Sequence, residues 1–248
     1  DVITRYEPSI LFTDGEWDHP SDVWHSCEFL AWLLNESSCK DEIVINDRWG
    51  KETRSQHGGY FTTEYGQVGW GKDIGMARKW EECRGIGGSF GYNRNESIAE
   101  YAKASDIIHL LIGIVSKGGN LELNVGPTAD GRIPVIMQQR LLEIGEWLKV
   151  NGDAIYGTHP WREVTDGDFV CYTAKDEAVY AICKKFPERE LVLNAPKPCK
   201  DVSVTMLGKE NQLEWRHENG KFIISVPFMT IDEVPSRHAY VFRLNGVE

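Results

Sequence analysis

The sequence predicts two textures in one chain: a parallel α/β sheet over residues 1–160 and an all-β sandwich over 161–248. Three observations carry this. Up to about residue 150, short apolar runs that end on polar residues alternate with amphipathic stretches, the rhythm of strand–helix–strand units. After about Trp161 the helical stretches stop, and about seven short strand-like runs follow, separated by glycine, asparagine and proline turns. The first apolar run, Ile10-Leu11-Phe12-Thr13, stops abruptly on Asp14-Gly15-Glu16-Trp17-Asp18. In barrels of alternating strands and helices, catalytic groups sit at the C-terminal ends of strands, so Asp14 is the first candidate for chemistry. Taken alone, Asp14 fits the cap of a turn or of the next helix better than a catalytic role.

The elements follow in order. Residues 9–13 read as a buried strand. Residues 21–35 read as a helix, with Ser21 and Asp22 as N-cap types and Val23, Phe29, Leu30, Leu33 and Leu34 as its apolar face. Ile43-Val44-Ile45-Asn46 is a second short strand, ending in the polar cluster Asn46-Asp47-Arg48-Trp49-Gly50. Residues 51–79 lack periodicity, and a stretch of that length inside a compact domain marks a functional loop. It holds Gln56-His57-Gly58-Gly59-Tyr60 and Glu64. Glycines there let backbone approach a ligand closely, and Glu64 is either a proton carrier or an ordinary solvated acid. Lys79-Trp80-Glu81-Glu82-Cys83-Arg84 reads as a strand, leading to the Gly-aromatic loop 87–93. Residues 98–116 read as a helix with Ile98, Ile107, Leu110, Leu111 and Ile114 inward, ended by Gly118-Gly119. Leu121, Leu123 and Val125 alternate as a strand, and 134–149 form a further helix with Pro134 in its first turn.

Composition narrows the class. Hydrophobic residues make up 41% and charged residues 26%, enough for a buried core. A net charge of −11 argues against nucleic acid and against an anionic membrane surface as partners. Nine tryptophans offer flat apolar faces of the kind that sugar rings use, although many such residues are simply core. The six cysteines form no CxxC pair, so zinc and thioredoxin chemistry have no support; Cys171 and Cys183 fall in strand-like runs as core thiols. His57 has no second ligand at metal-binding spacing, and no phosphate-binding glycine motif stands in a strand–helix setting. No cofactor or metal is expected. Two sequons, at Asn35 and Asn95, matter only in a secretory setting. The chain opens at Asp1, without Met, inside what reads as a helix leading to a strand, so it reads as a piece of something longer.

Asp14, Glu64 and Glu81 are acids beside aromatics and glycines at the expected strand-mouth end of the sheet. Paired carboxylates there suggest glycoside hydrolysis, with one as nucleophile and the other protonating the leaving oxygen. Four motifs together resemble the α-L-fucosidases of glycoside hydrolase family 29. They are Thr13-Asp14-Gly15-Glu16-Trp17; Val44-Ile45-Asn46-Asp47-Arg48-Trp49-Gly50; Lys79-Trp80-Glu81 with Ser89-Phe90-Gly91-Tyr92; and Gly118-Gly119-Asn120-Leu121-Glu122-Leu123-Asn124-Val125-Gly126-Pro127. Asn151-Gly152-Asp153-Ala154-Ile155-Tyr156 before the sandwich also fits.

The resemblance implies an exo-hydrolase that removes terminal α-L-fucose from oligosaccharides or glycoconjugates with retention, through a covalent fucosyl ester and without cofactor. It places the nucleophile at Asp14 and the acid/base at Glu64, with Glu81 as runner-up or supporting residue. Arg48 matches an arginine that touches the sugar; Phe12, Trp17, His57, Trp80 and Phe90 complete the implied substrate contacts. It implies a (β/α)8-type barrel, of which this chain carries the second half, completed by a second copy or a complementing N-terminal segment. A secreted, periplasmic or lysosomal-type compartment goes with the family. Two other readings stay open at this stage: a carbohydrate-binding or assembly fragment without catalysis, and a glycosidase of similar architecture acting on another sugar such as galactose.

Overall fold

The computed structural model describes residues 1–66 and 78–248; residues 67–77, part of the aperiodic stretch 51–79, lie outside the described residues. The chain divides into two compact units, Asp1–Cys83 and Arg84–Glu248.

In the first unit, α1 (Val2–Tyr6) precedes β1 (Ile10–Leu11), which pairs in parallel with β2 (Val44–Ile45). β3 (Phe61–Glu64) pairs in parallel with β4 (Trp80–Gly85), placing Thr62 opposite Glu81 and Glu64 opposite Cys83. The amide of Tyr60 donates to the Ile45 carbonyl at 3.1 Å, tying the entry of β3 to β2. The strand read over 9–13 is shorter than expected, and it is not buried throughout: Ile10 is 64% exposed. Side chains alternate across a strand. Ile45 therefore faces a small core with Ile3, Leu33, Ile43 and Trp49, while Ile10 and its partner Val44 face outward.

The helix read over 21–35 begins later, as α2 (Ser26–Asn35). His25 takes a left-handed conformation, and Ser21 turns its amide and hydroxyl to the Glu52 carboxylate. Residues 20–25 thus form a turn, and Val23 leaves the helical face; Leu33 is fully buried, whereas Val23, Phe29 and Leu34 stay exposed.

The second unit opens with a single 3-10 turn, Ile98–Glu100, closed by a Ser97–Glu100 capping box. Tyr101 returns to extended backbone, so α3 spans only Ala104–Val115, and Ile98 is 73% exposed instead of inward. β5 (Gly119–Asn124) and α4 (Val135–Asn151) follow, with Pro134 at the N-cap of α4.

Eight antiparallel strands complete the unit: β6 (His159–Asp166), β7 (Val170–Lys175), β8 (Ala178–Cys183), β9 (Glu190–Leu193), β10 (Pro198–Met206), β11 (Trp215–Glu218), β12 (Lys221–Ser225) and β13 (Tyr240–Val247). They form a five-stranded sheet, β10-β13-β8-β7-β6, and a three-stranded sheet, β11-β12-β9. Period-two alternation sends Tyr172, Ala181, Cys183, Met206, Phe242 and Leu244 toward Leu191, Leu193, Phe222 and Ile224 of the smaller sheet. The opposite face of the larger sheet, with Cys171, Tyr180, Ile182 and Val241, packs on Ile107, Ile108 and Ile112 of α3 and Met137, Ile144 and Trp147 of α4. A sheet covered on both sides explains why β8 is buried at every position.

Candidate active site

Three candidate side chains of the first unit stand at strand ends. Asp14 lies three residues past β1, Arg48 three past β2, and Glu64 closes β3. Gly15, at φ +91°, turns the chain directly after Asp14, and nothing lies within 4 Å of where its Cβ would be. Backbone conformation, not lack of room, therefore favours glycine there. The ends of β1 and β2 are clamped together. Asn46, fully buried, donates from Nδ2 to the Thr13 carbonyl at 2.7 Å, and the Thr13 hydroxyl lies 2.9 Å from Asn46 Oδ1 and 2.5 Å from the Arg48 carbonyl.

Arg48 is the centre of this arrangement. Its side chain has no exposed surface, and one nitrogen, Nη1, lies 2.7 Å from Asp14 Oδ1 and 2.5 Å from Glu64 Oε1. Nε donates to the Thr62 hydroxyl at 2.8 Å, and Cζ sits 4.7 Å from the centroid of the Phe12 ring. Burial works against the arginine's charge, but hydrogen bonds to Glu64 and Asp14, with their negative charges, outweigh it and raise its pKa above the ordinary value. Asp14 remains 58% exposed and Glu64 25%. The nucleophile candidate thus faces solvent while the arginine beneath it does not. Arg54 adds a second cation, 3.6 Å from Glu16 and 4.0 Å from Glu64. A cavity of about 200 Å³ opens beside Asp14, lined in part by Glu16, Trp24, Phe29, Arg48 and Trp49, with the Phe29 and Trp49 rings stacked at 5.8 Å.

Phe12, Asp14, Arg48 and Glu64 are therefore brought together. Glu81, opposite Thr62 on β4, shares the pleat face of Thr62 and Glu64. Trp80 is buried and turns to the other face of the pleat. Trp17 stands largely exposed on a 3-10 turn, Glu16–Asp18. His57 is exposed, its amide donating to the Thr53 carbonyl at 2.8 Å. Phe90 lies in the second unit, where its carbonyl accepts from Asn124 Nδ2 at 2.6 Å.

Sequence reasoning missed four participants. Asp47 and Thr62 were hidden in motifs already singled out; alternation along β3 was the signal that Thr62 shares the face of Glu64. Glu16 reads as part of a turn yet is buried, and Arg54 carries no local signal. Among the described residues, no group of three or more His, Cys, Asp or Glu is placed to hold a metal ion, and no helix is long and apolar enough to cross a membrane.

Parallel strands bearing carboxylates at their C-terminal ends, with a β-sandwich later in the chain, place this protein in the class that joins a (β/α)-type barrel to an all-β domain. The family model for alpha-L-fucosidase matches residues 1–153, and that for the alpha-L-fucosidase C-terminal domain matches 164–245. The chain belongs to the alpha-L-fucosidase family. It is 41% identical over 252 residues to the tissue alpha-L-fucosidase of Bos taurus and 40% identical over 253 residues to that of Homo sapiens, covering 100% of this chain and 53% and 54% of theirs. It thus spans about half the length of these curated relatives. The crystal structure of the Thermotoga maritima alpha-fucosidase in complex with fucose matches with a TM-score of 0.79 and 30% identity, over 98% of this chain and 54% of that one.

Proposed function

We propose that this chain serves the retaining hydrolysis of terminal α-L-fucosides, with Asp14 as nucleophile and Glu64 as acid/base. One observation carries the reading: a single nitrogen of Arg48 reaches both carboxylates, at 2.7 and 2.5 Å. The two bonded oxygens are therefore at most about 5 Å apart, which excludes the roughly 6.5–9.5 Å separation of inverting pairs and is compatible with double displacement. In the first step an Asp14 oxygen bonds to the anomeric carbon as the glycosidic C–O bond breaks, and Glu64 gives its proton to the leaving oxygen. In the second, Glu64 takes a proton from water as the water oxygen attacks the same carbon and releases Asp14. Arg48 balances the charge of Asp14, and that of Glu64 once its proton is given up, while its Nη2 is buried without a hydrogen-bond partner among the described residues. Phe12, Trp17 and His57 are the further proposed substrate contacts, and Glu81 supports the acid/base.

Residues 1–160 would act as the catalytic part and 161–248 as its companion sandwich. The substrate is a fucosylated oligosaccharide or glycoconjugate; the Thermotoga relative bound to fucose supports a fucosyl ligand. A secreted or lysosomal-type setting is proposed on the strength of relatives named tissue and plasma fucosidases. Incubating the full chain with an aryl α-L-fucoside tests the activity. Release of the phenol is expected; a folded chain that binds fucose in calorimetry without turnover overturns the catalytic reading in favour of a binding module.

A further inference from the structure

We propose that the Thr62 hydroxyl, anchored on the buried carboxylate of Asp47, is a positioning group that aims Arg48 at Asp14 and Glu64 together. This rests on the reading of those two acids as the reacting pair. The direction of the relay follows from donor inventory. Arginine only donates, so the Thr62 hydroxyl accepts from Arg48 Nε at 2.8 Å, and its single proton must then go to Asp47 Oδ1, 2.7 Å away. Asp47 is fully buried, and among the described residues no salt bridge neutralises it. It is satisfied instead by donors at both oxygens: the Thr62 amide at 3.1 Å on Oδ1 and the Ser55 amide at 2.8 Å on Oδ2. A buried carboxylate is costly unless fully hydrogen-bonded, and this one spends one of its acceptor positions on the hydroxyl that holds the arginine.

The chain's own geometry makes the relay directional. Asp47 precedes Arg48 in sequence at the end of β2, and Thr62 lies two residues before Glu64 on β3, on the same face. The segment that supplies the arginine therefore also supplies the anchor, and the strand that supplies the acid/base also supplies the hydroxyl between them. Phe12 holds the guanidinium plane at 4.7 Å, and Thr62 fixes its Nε edge. With both in place, Nη1 has one direction, toward the two carboxylates. Without the hydroxyl, the guanidinium can pivot on the Phe12 ring and release one of them.

The test compares Thr62→Val, which keeps the shape and removes the hydroxyl, with Thr62→Ser, which keeps the hydroxyl, in the full chain on an aryl α-L-fucoside. Asp14→Gly and Glu64→Gln are run beside them, and thermal melting confirms folding. Thr62→Val is expected to lower kcat on the order of tenfold to a hundredfold with a much smaller change in KM, and Thr62→Ser to restore most of it. A purely structural role would lower the melting temperature and leave kcat of the folded fraction unchanged. Wild-type kcat in folded Thr62→Val, or a Thr62→Ser no better than Thr62→Val, overturns the inference. Should Thr62→Val not fold, Thr62→Ala replaces it. Alanine also removes the hydroxyl, so the same loss of kcat is expected, and wild-type kcat in that variant overturns the inference equally. If Asp14→Gly and Glu64→Gln retain turnover, or the parent chain has none, the underlying reading falls and the positioning role with it. If they lose turnover while Thr62→Val keeps it, only the positioning role falls.

Discussion

Asp14 is an exposed carboxylate held by a fully buried arginine, a contrast that supports the proposed nucleophile. A cap needs only a local amide; Asp14 instead bonds a guanidinium 34 residues away in sequence. On the proposed reading, Asp14→Gly is expected to lose nearly all turnover on an aryl fucoside, because it removes the proposed nucleophile, and azide is expected to restore part of it by attacking from the vacated side. Measuring fucosyl azide formation checks this; retained hydrolysis without azide would remove Asp14 from the nucleophile's place. Arg48 has a pKa raised above an already high value, so it stays a cation throughout the working pH range. Any acid or alkaline limb of the activity profile therefore belongs to other groups. The hydrogen bonds of Arg48 to both acids are charge-assisted, which makes them stronger than neutral ones.

At the scale of elements, the glycine pair in the loop before β3 has a packing use that the sequence reading did not include. The approach it permits in the fold is to the chain's own segment 45–47. A Cβ on Gly58, which has φ +137°, would lie 2.6 Å from the Asn46 carbonyl oxygen and from Asp47 Cα, and one on Gly59 would lie 2.5 Å from the Ile45 carbonyl oxygen. Those atoms are backbone and cannot swing away. Gly58→Ala is expected to cost on the order of 1–3 kcal/mol for strain and overpacking and to displace the Asp47–Arg48 pair, seen as a lower melting temperature together with weaker fucose binding.

A second element-level device joins β6 to the segment after β9. The Tyr172 hydroxyl donates to Asp166 Oδ2 at 2.9 Å, and Asp166 also accepts from the amides of Asn194 and Ala195. Burial first, and the Asp166 charge second, push the Tyr172 pKa far above its usual value near 10. Above pH 10 the unfolded chain gives up this proton while the folded one keeps it. The folded state then binds more protons, and stability falls as pH rises, by up to about 1.4 kcal/mol per pH unit from this group; below pH 10 the contribution is fully present. Denaturant titrations from pH 8 to 11 are expected to show a shallower alkaline loss in Tyr172→Phe than in the parent. An unchanged slope would remove Tyr172 as a source.

On the scale of the whole molecule, the second unit is one cooperative body by construction. Its five-stranded sheet is the wall of two cores, one against the helices and one against the smaller sheet. Ile182→Ala, on the helix side, and Phe242→Ala, on the sandwich side, each remove a fully buried side chain. Each is expected to destabilise by about 2–5 kcal/mol. Because the strands are shared, both are expected to shift the same calorimetric transition; two transitions that respond separately would contradict a shared sheet. The net charge of −11 adds a field that repels polyanions and leaves neutral sugars unaffected, which suits the proposed substrate.

How much of this was legible beforehand depends on how far apart the interacting residues lie. Strands such as Ala178–Cys183 and helices such as Ala104–Val115 announce themselves through periodicity that lies within the element itself. The candidates Asp14 and Arg48 were readable because each follows an apolar run that ends in polar residues, the local mark of a strand mouth, whereas Glu64 stood out only as an acid in a glycine- and aromatic-rich aperiodic loop. The late start of α2 and the outward turn of Ile98 were not readable, since a left-handed His25 and a local capping box override periodicity. β6 went unseen because its buried and exposed positions do not alternate cleanly and its pairing with β7 is interrupted by a register shift.

By itself, then, the sequence determined the two textures of the chain and the chemical types at its strand ends, because those are written in spacing over a few residues. Only the tertiary structure decided that one nitrogen of Arg48 serves two acids, that Thr62 and Asp47 stand behind it, and that a single sheet serves two cores. These are contacts between residues 14 to 34 positions apart at the site, and up to 129 apart where His109 meets the His238 carbonyl. No local pattern encodes such distances; they are set when separate elements bury their faces against one another.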